Sequence, residues 1–119
     1  VIPGKSDRSL DMAYLTDLTE GWYAVTNNEL NLSWGVEFPK DLFQYLQYWR
    51  LFGGGFGYPW YGRCYTAGLE PCTSWHESGK DQSESDSAYP VKAGETISAN
   101  IKAGIIENYN LKEKLNPFK

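Results

Sequence analysis

Phe43-Gln44-Tyr45-Leu46-Gln47-Tyr48-Trp49-Arg50-Leu51-Phe52, followed by Gly53-Gly54-Gly55, is the stretch on which the fold turns. By spacing alone it is compatible with a helix. Its aromatic density and the triple glycine that ends it favour a β-strand, because aromatic rings fit a pleated, half-buried surface and glycine punctuates such elements. Strand parity then puts Tyr45, Gln47 and Trp49 on one face and Tyr48 and Arg50 on the other. The same period of two recurs on both sides of this stretch. Leu10, Met12 and Tyr14 alternate with Asp11 and Ala13, and Leu30, Leu32 and Trp34 alternate with Asn31 and Ser33. Trp22 to Thr26 is aromatic and β-branched. Asp17-Leu18-Thr19-Glu20-Gly21 reads as a hairpin loop, and Asn27-Asn28 as a two-residue turn whose residues tolerate positive φ. The first three strands are therefore expected to form an antiparallel meander.

Further along, Cys64 to Leu69 reads as a strand that ends in Glu70-Pro71, and Ile97, Ala99, Ile101, Ala103 and Ile105 alternate with polar residues. The pattern predicts an all-β fold, an antiparallel β-sandwich, with strands near 9–17, 21–26, 29–35, 43–52, 63–70 and 95–107. Residues 1–107 form the sandwich. Residues 74–88, rich in Ser, Asp and Glu, read as a long exposed loop. Residues 108–119 form a polar C-terminal tail, with one helical turn around Leu111-Lys112-Glu113-Lys114 before it frays.

Composition narrows the class. A chain of 119 residues makes one ordinary domain or a piece of a larger one, and it can bury roughly two thirds of its unfolded surface. Eleven Lys and Arg against fifteen Asp and Glu give a net charge of −4. That argues against unspecific binding to nucleic acid or to an anionic membrane, since both need a positive field. No apolar run approaches the ~20 residues of a membrane span. Val1-Ile2-Pro3-Gly4-Lys5 does not read as a signal peptide and carries no initiator Met. The expectation is a cytoplasmic protein, cut from a longer one. Cys64 and Cys72 are too few for a disulfide scaffold or a structural zinc site, and read as two small, largely buried thiols. A bridge between them requires the chain to turn back, which Pro71 permits.

Four features converge on residues 44 to 76. They are the strand carrying Gln47, Tyr48, Trp49 and Arg50; the aromatic loop with Phe56, Tyr58, Trp60 and Tyr61; Gly68-Leu69-Glu70-Pro71 at a strand end; and the single histidine, His76. Sugars are bound by such a mixture: aromatic faces cover the C–H patches of a pyranose while Arg, Gln, Glu and His hydrogen-bond its hydroxyls. A carboxylate at a strand mouth also serves as a general base when aromatic walls exclude water. Each feature has a plainer reading. Tyr45 and Trp49 read as core, the glycines as a sharp turn or bulge, Glu70 as a strand terminus and His76 as a solvated loop residue.

The order of these features carries a resemblance. Leu46-Gln47-Tyr48-Trp49-Arg50, a Gly57-Tyr58-Pro59 loop, Ala67-Gly68-Leu69-Glu70-Pro71-Cys72-Thr73 and the strand introduced by Val91-Lys92-Ala93-Gly94-Glu95-Thr96 together resemble the C-terminal part of an aldose 1-epimerase-like protein, of the galactose mutarotase-like family. The likeness covers about residues 9 to 107. It implies a large β-supersandwich that interconverts the α and β anomers of free or phosphorylated aldoses. In that chemistry a Glu takes the proton from the anomeric hydroxyl and a His protonates the ring oxygen, with no metal or organic cofactor. The resemblance implies that Glu70 is the catalytic carboxylate and that Trp49 and Arg50 line the sugar site, beside Tyr58, Trp60, Tyr61 and His76 as candidate sugar contacts. Family members are much longer, and their catalytic His residues and a sugar-binding Arg come from an N-terminal part that this sequence does not contain. His76 follows Glu70 too closely to match a family catalytic His.

Two readings remain beside that one: a non-catalytic carbohydrate-binding β-sandwich, and a structural piece whose partner is another chain. The expected ligand is a monosaccharide or sugar derivative. Arg50 and Arg63 alone supply positive charge near the site, which disfavours a tightly held phosphate. Leu30, Leu32 and Trp34, with Ile97, Ile101 and Ile105, are the faces expected to need cover, so homodimerisation or strand exchange through open sheet edges is expected.

Overall fold

The computed structural model describes residues 2–75, 87–110, 112–113 and 115–119. A 3-10 turn at Lys5–Asp7 leads into six strands: β1 (Ser9–Leu15), β2 (Trp22–Asn27), β3 (Leu32–Glu37), β4 (Tyr45–Phe52), β5 (Tyr65–Cys72) and β6 (Lys102–Glu107). They form two three-stranded antiparallel sheets, in the orders β1-β4-β5 and β2-β3-β6. The protein is all-β and sandwich-like. Among the described residues, no helix is long and apolar enough to cross a membrane.

The aromatic stretch is a strand, and it is the centre of its sheet. Every residue from Leu46 to Phe52 faces both a β1 and a β5 partner. The expected meander is corrected: β1 pairs with β4, and of the first three strands β2 and β3 alone pair with each other. The connection from β1 to β2 crosses between the sheets, with Asp17 at φ 52°. Gly21 ends that crossing. A Cβ there would collide with the Phe38 carbonyl oxygen, and the Gly21 carbonyl accepts from the Phe38 amide at 2.7 Å. The β2–β3 turn is also longer than the expected Asn27-Asn28 pair. Asn27 Oδ1 accepts from the amides of Glu29 and Leu30, and Asn31 takes the positive φ, at 50°. Leu30 thus lies in the turn and not in the strand.

The core is thin. Leu46, Leu51 and Phe52 are buried in the first sheet, and Val36 and Phe38 beside the second. The radius of gyration is 16.6 Å, where a compact chain of this length has about 13.5 Å. In the second sheet the covered side is the less apolar one. Ser33 and Gly35 are buried, the Ser33 hydroxyl shares a hydrogen bond with Thr26, and Phe118 and Ile106 press on Gly35. The C-terminal tail does this covering. Its composition predicts fraying, yet it is tied down: Asn116 Nδ2 donates to Glu37 at 2.8 Å and Lys119 pairs with Glu20. Lys102, then Asn116, hold the Glu37 carboxyl below the usual carboxylate range. Leu111 and Lys114, from the expected helical turn, lie outside the described residues.

The opposite face of that sheet is apolar and open at one end. Trp34 is 48 % exposed and its partner Ile105 70 %, with Leu32 two residues along the same face, while Val36 on that face is buried. The last strand is shorter than its pattern, because residues 96–101 carry no ladder pairing. The Ala93-Gly94-Glu95 segment is a turn, closed by the Glu95 amide on the Lys92 carbonyl with Gly94 at φ 79°. Beyond it Ile97 and Ile101 are exposed. A contiguous apolar face beside an unpaired segment drives association. Sedimentation at micromolar concentration is expected to show species larger than the monomer, and Ile105→Lys is expected to shift them to monomer. A monodisperse wild-type monomer contradicts this. Leu51→Ala, by contrast, is expected to destabilise the fold by about 2–5 kcal/mol in denaturant melts, as a buried leucine deletion does.

Candidate functional site

The register of β4 sorts the sequence candidates onto two faces. On one face, Tyr14, Gln47 and Glu70 form a row across β1, β4 and β5. The next row is Met12, Trp49 and Gly68, and the next Leu10, Leu51 and Thr66. Directly opposite side chains in a sheet share a face, so these nine positions make one surface. Glu70 and Trp49 are therefore brought together. Arg50 is not: with Asp11 and Ala67 it occupies the reverse face.

The loop from Gly53 to Gly62 folds back over the Trp49 face. Two glycines make that return possible. Gly54 lets the loop backbone touch β1, where a Cβ would collide with the Ser9 carbonyl group. Gly55 holds φ 66° against Leu10 and Trp60. The return places the Trp60 ring on Trp49, with centroids 5.3 Å apart and planes tilted by 51°. Tyr58 precedes a cis peptide bond to Pro59, is 85 % exposed, and meets Tyr61 edge to face at 6.2 Å. Tyr58 and Tyr61 stand at the outer rim of the loop. At the other end of the surface, Trp75 lies 6.4 Å from the Tyr14 ring and donates its amide to Ser87 Oγ at 2.9 Å. His76 lies outside the described residues.

Glu70 lies over the one position in its neighbourhood that has no side chain. Its Oε1 is 2.6 Å from where a Gly68 Cβ would stand, and Trp49 Cβ is 3.6 Å from the same point. The carboxylate thus leans across Gly68 toward the tryptophan. Its charge is felt by two neighbours. Burial, then Cys72 and Glu70, push the Tyr14 hydroxyl up. Burial pushes the Cys72 thiol up, a hydrogen bond from the Gln47 backbone N–H opposes it, and Glu70 adds to the rise. Cys64 and Cys72 are free thiols.

Sequence reasoning singles out Glu70, Trp49 and Trp60, and these converge. It misses Tyr14, Met12 and Trp75. Tyr14 is visible as an apolar-face residue of β1, but only the pairing of β1 with β4 sets it in line with Glu70. Among the described residues no group of three or more His, Cys, Asp or Glu side chains is placed to hold a metal ion.

The Cys72 thiol tests this arrangement. A thiol raised in the fold stays protonated while the unfolded chain ionises, so its contribution to stability is full below the ordinary thiol value of 9.0 and declines as pH rises above it. At pH 8, alkylation of Cys72 is expected to be slower than that of free cysteine. Glu70→Gln is expected to speed it by roughly two- to threefold, the scale of a partly screened charge interaction. An unchanged rate separates the carboxylate from this cluster.

No protein-family model matches this chain, and neither curated proteins nor solved structures yield a match.

Proposed function

We propose that this chain is the carbohydrate-binding portion of an aldose 1-epimerase-like protein, with Glu70 as the base of the parent reaction. One observation carries the reading: a single sheet face sets a carboxylate, an amide and a phenol in one row, beside a tilted pair of indoles. A pyranose laid on Trp49 and Trp60 covers their faces with its C–H patches, and its hydroxyls meet Gln47 and Glu70.

The chemistry follows from that placement. Glu70 takes the proton of the anomeric hydroxyl as the C1–O5 bond breaks, and a general acid delivers a proton to O5. The open aldehyde rotates about C1–C2 and the ring recloses with the protons returned. Glu70 is the base this row supplies. The acid belongs to the rest of the active site, and the Tyr14 phenol, held protonated, serves the row as a hydrogen-bond donor. A non-catalytic sugar-binding role is the second reading. It is favoured by the position of Glu70 on the edge strand β5, where the carboxylate is exposed.

Two experiments separate these readings. Titration of the chain with glucose or galactose, followed by Trp fluorescence, is expected to report weak binding that Trp49→Ala and Trp60→Ala abolish. Gly68→Ala is expected to weaken binding without unfolding the chain, since the added methyl displaces only the end of a flexible side chain. No response at high millimolar sugar removes the sugar-binding reading. In the full-length protein, polarimetry on freshly dissolved α-glucose or α-galactose is expected to lose two or more orders of magnitude with Glu70→Gln, roughly the contribution of a general base. An unaltered rate assigns Glu70 to binding alone.

A further inference from the structure

The reverse face of the first sheet lines a cleft of about 710 Å³ between the two sheets. Ser9, Asp11, Tyr48, Arg50 and Leu69 line it from the first sheet, Val25 and Thr26 from the second, and Asp7 from the turn before β1. Its size falls in the range of small-molecule sites, roughly 300–1,000 Å³. Arg50 is its central feature. One guanidinium nitrogen, Nη2, pairs with Asp11, and the guanidinium lies over the Tyr48 ring at 5.4 Å. Its Nε is shut off from solvent and has no hydrogen-bond partner. The side chain as a whole is 35 % exposed, so its terminal nitrogens, and not Nε, offer N–H donors to the cleft.

We propose that this cleft is a second binding site, separate from the Trp49 face, for a neutral, hydroxyl-rich molecule of sugar size. Arg50 and the two carboxylates Asp7 and Asp11 give the cleft a formal charge of −1, which repels phosphate and other anions. Both Asp11 oxygens are occupied, one by Arg50 and the other by the Met12 amide at 2.7 Å. Asp7 and Arg50 therefore face the ligand with opposite needs: the carboxylate accepts hydrogen bonds and the guanidinium donates them. A hydroxyl meets both without bringing charge into the cleft. Val25, Leu69 and Phe52 supply the apolar wall for the C–H side of such a ring. The parity of β4 accounts for Arg50 as a sugar-type residue that does not reach Trp49: it serves the other side of the same strand.

The test reads the wild-type protein directly. In NMR spectra of the labelled chain titrated with glucose, the Arg50 Nε–H signal and the Val25 and Leu69 methyl signals are expected to shift together. Trp49→Ala is expected to leave these shifts intact while removing those at Trp60, so the two sites fail separately. Arg50→Lys keeps the charge opposite Asp11 and removes the guanidinium fork, and it is expected to weaken the cleft response at least tenfold. Overturning results are an Arg50 Nε–H signal that glucose does not move, or one moved by inorganic phosphate or by alanine in place of glucose. Shifts confined to the Trp49 face equally overturn the second site and leave the first standing.

Discussion

The double pairing of β4 is the constraint from which the rest of the molecule follows. A strand with a neighbour on each side has little freedom of register, because a slip of one residue would exchange the side chains of its two faces. Here both faces are specified: Leu46 and Phe52 are buried on the Arg50 side and Leu51 on the Trp49 side. Their burial locks β1 and β5 in place, and the lock determines which side chains meet across the sheet. Glu70 stands opposite Gln47 because Leu51 stands opposite Thr66. The positions of the functional candidates are thus a by-product of core packing several residues away.

The second sheet shows the opposite situation. Its covered face rests on small residues, Ser33 and Gly35, held by a hydroxyl–hydroxyl bond and by the ring of Phe118. Its apolar face is open around Leu32, Trp34 and Ile105, and buried at Val36. The Lys119–Glu20 ion pair and the Asn116 amide contact to Glu37 fasten the tail that does the covering. Such exposed pairs contribute little each, in the range of about 0.2–1 kcal/mol. Apolar burial stabilises a fold far more than such pairs do, and this sheet leaves much of its own apolar surface unburied. The exposed segment 96–101 extends the same pattern, with alternating isoleucines and no ladder.

Much of this was legible in the sequence, and what was not has a physical cause. Period-two alternation marked the first, third and last strands, and aromatic and β-branched content the second and fourth, since both report a half-buried pleated surface. Neither could say which strands pair. The link of residues 16–21 resembles a hairpin loop in composition, yet it carries the chain from one sheet to the other. The extent of the last strand was overread because Ile97, Ala99 and Ile101 have strand character without a neighbour to bond. At the site, parity alone separated Trp49 from Arg50. Tyr14 and Trp75 were not legible there: they join Glu70 through β1–β4 pairing and a chain return, which are non-local. The inward role of Gly68 was likewise hidden, because its value lies in a missing side chain beneath Glu70.

The geometry of β5 bears on what Glu70 can do. A general base works best where water is excluded, and an edge strand leaves its outer side open. The row Tyr14–Gln47–Glu70 runs from one edge of the sheet to the other, so its two charged or phenolic ends are both at edges while the amide sits at the centre. A ligand lying on the Trp49–Trp60 pair would itself displace water from the inner side of Glu70. The outer side needs another strand or segment laid along β5. That added strand would also satisfy the free backbone groups of the edge, so closing the sheet and drying the carboxylate are one event. In this fold, holding a sugar and acting on it would therefore make different demands: the first needs the aromatic pair and the Gln47–Glu70 row, and the second also needs the edge of β5 covered.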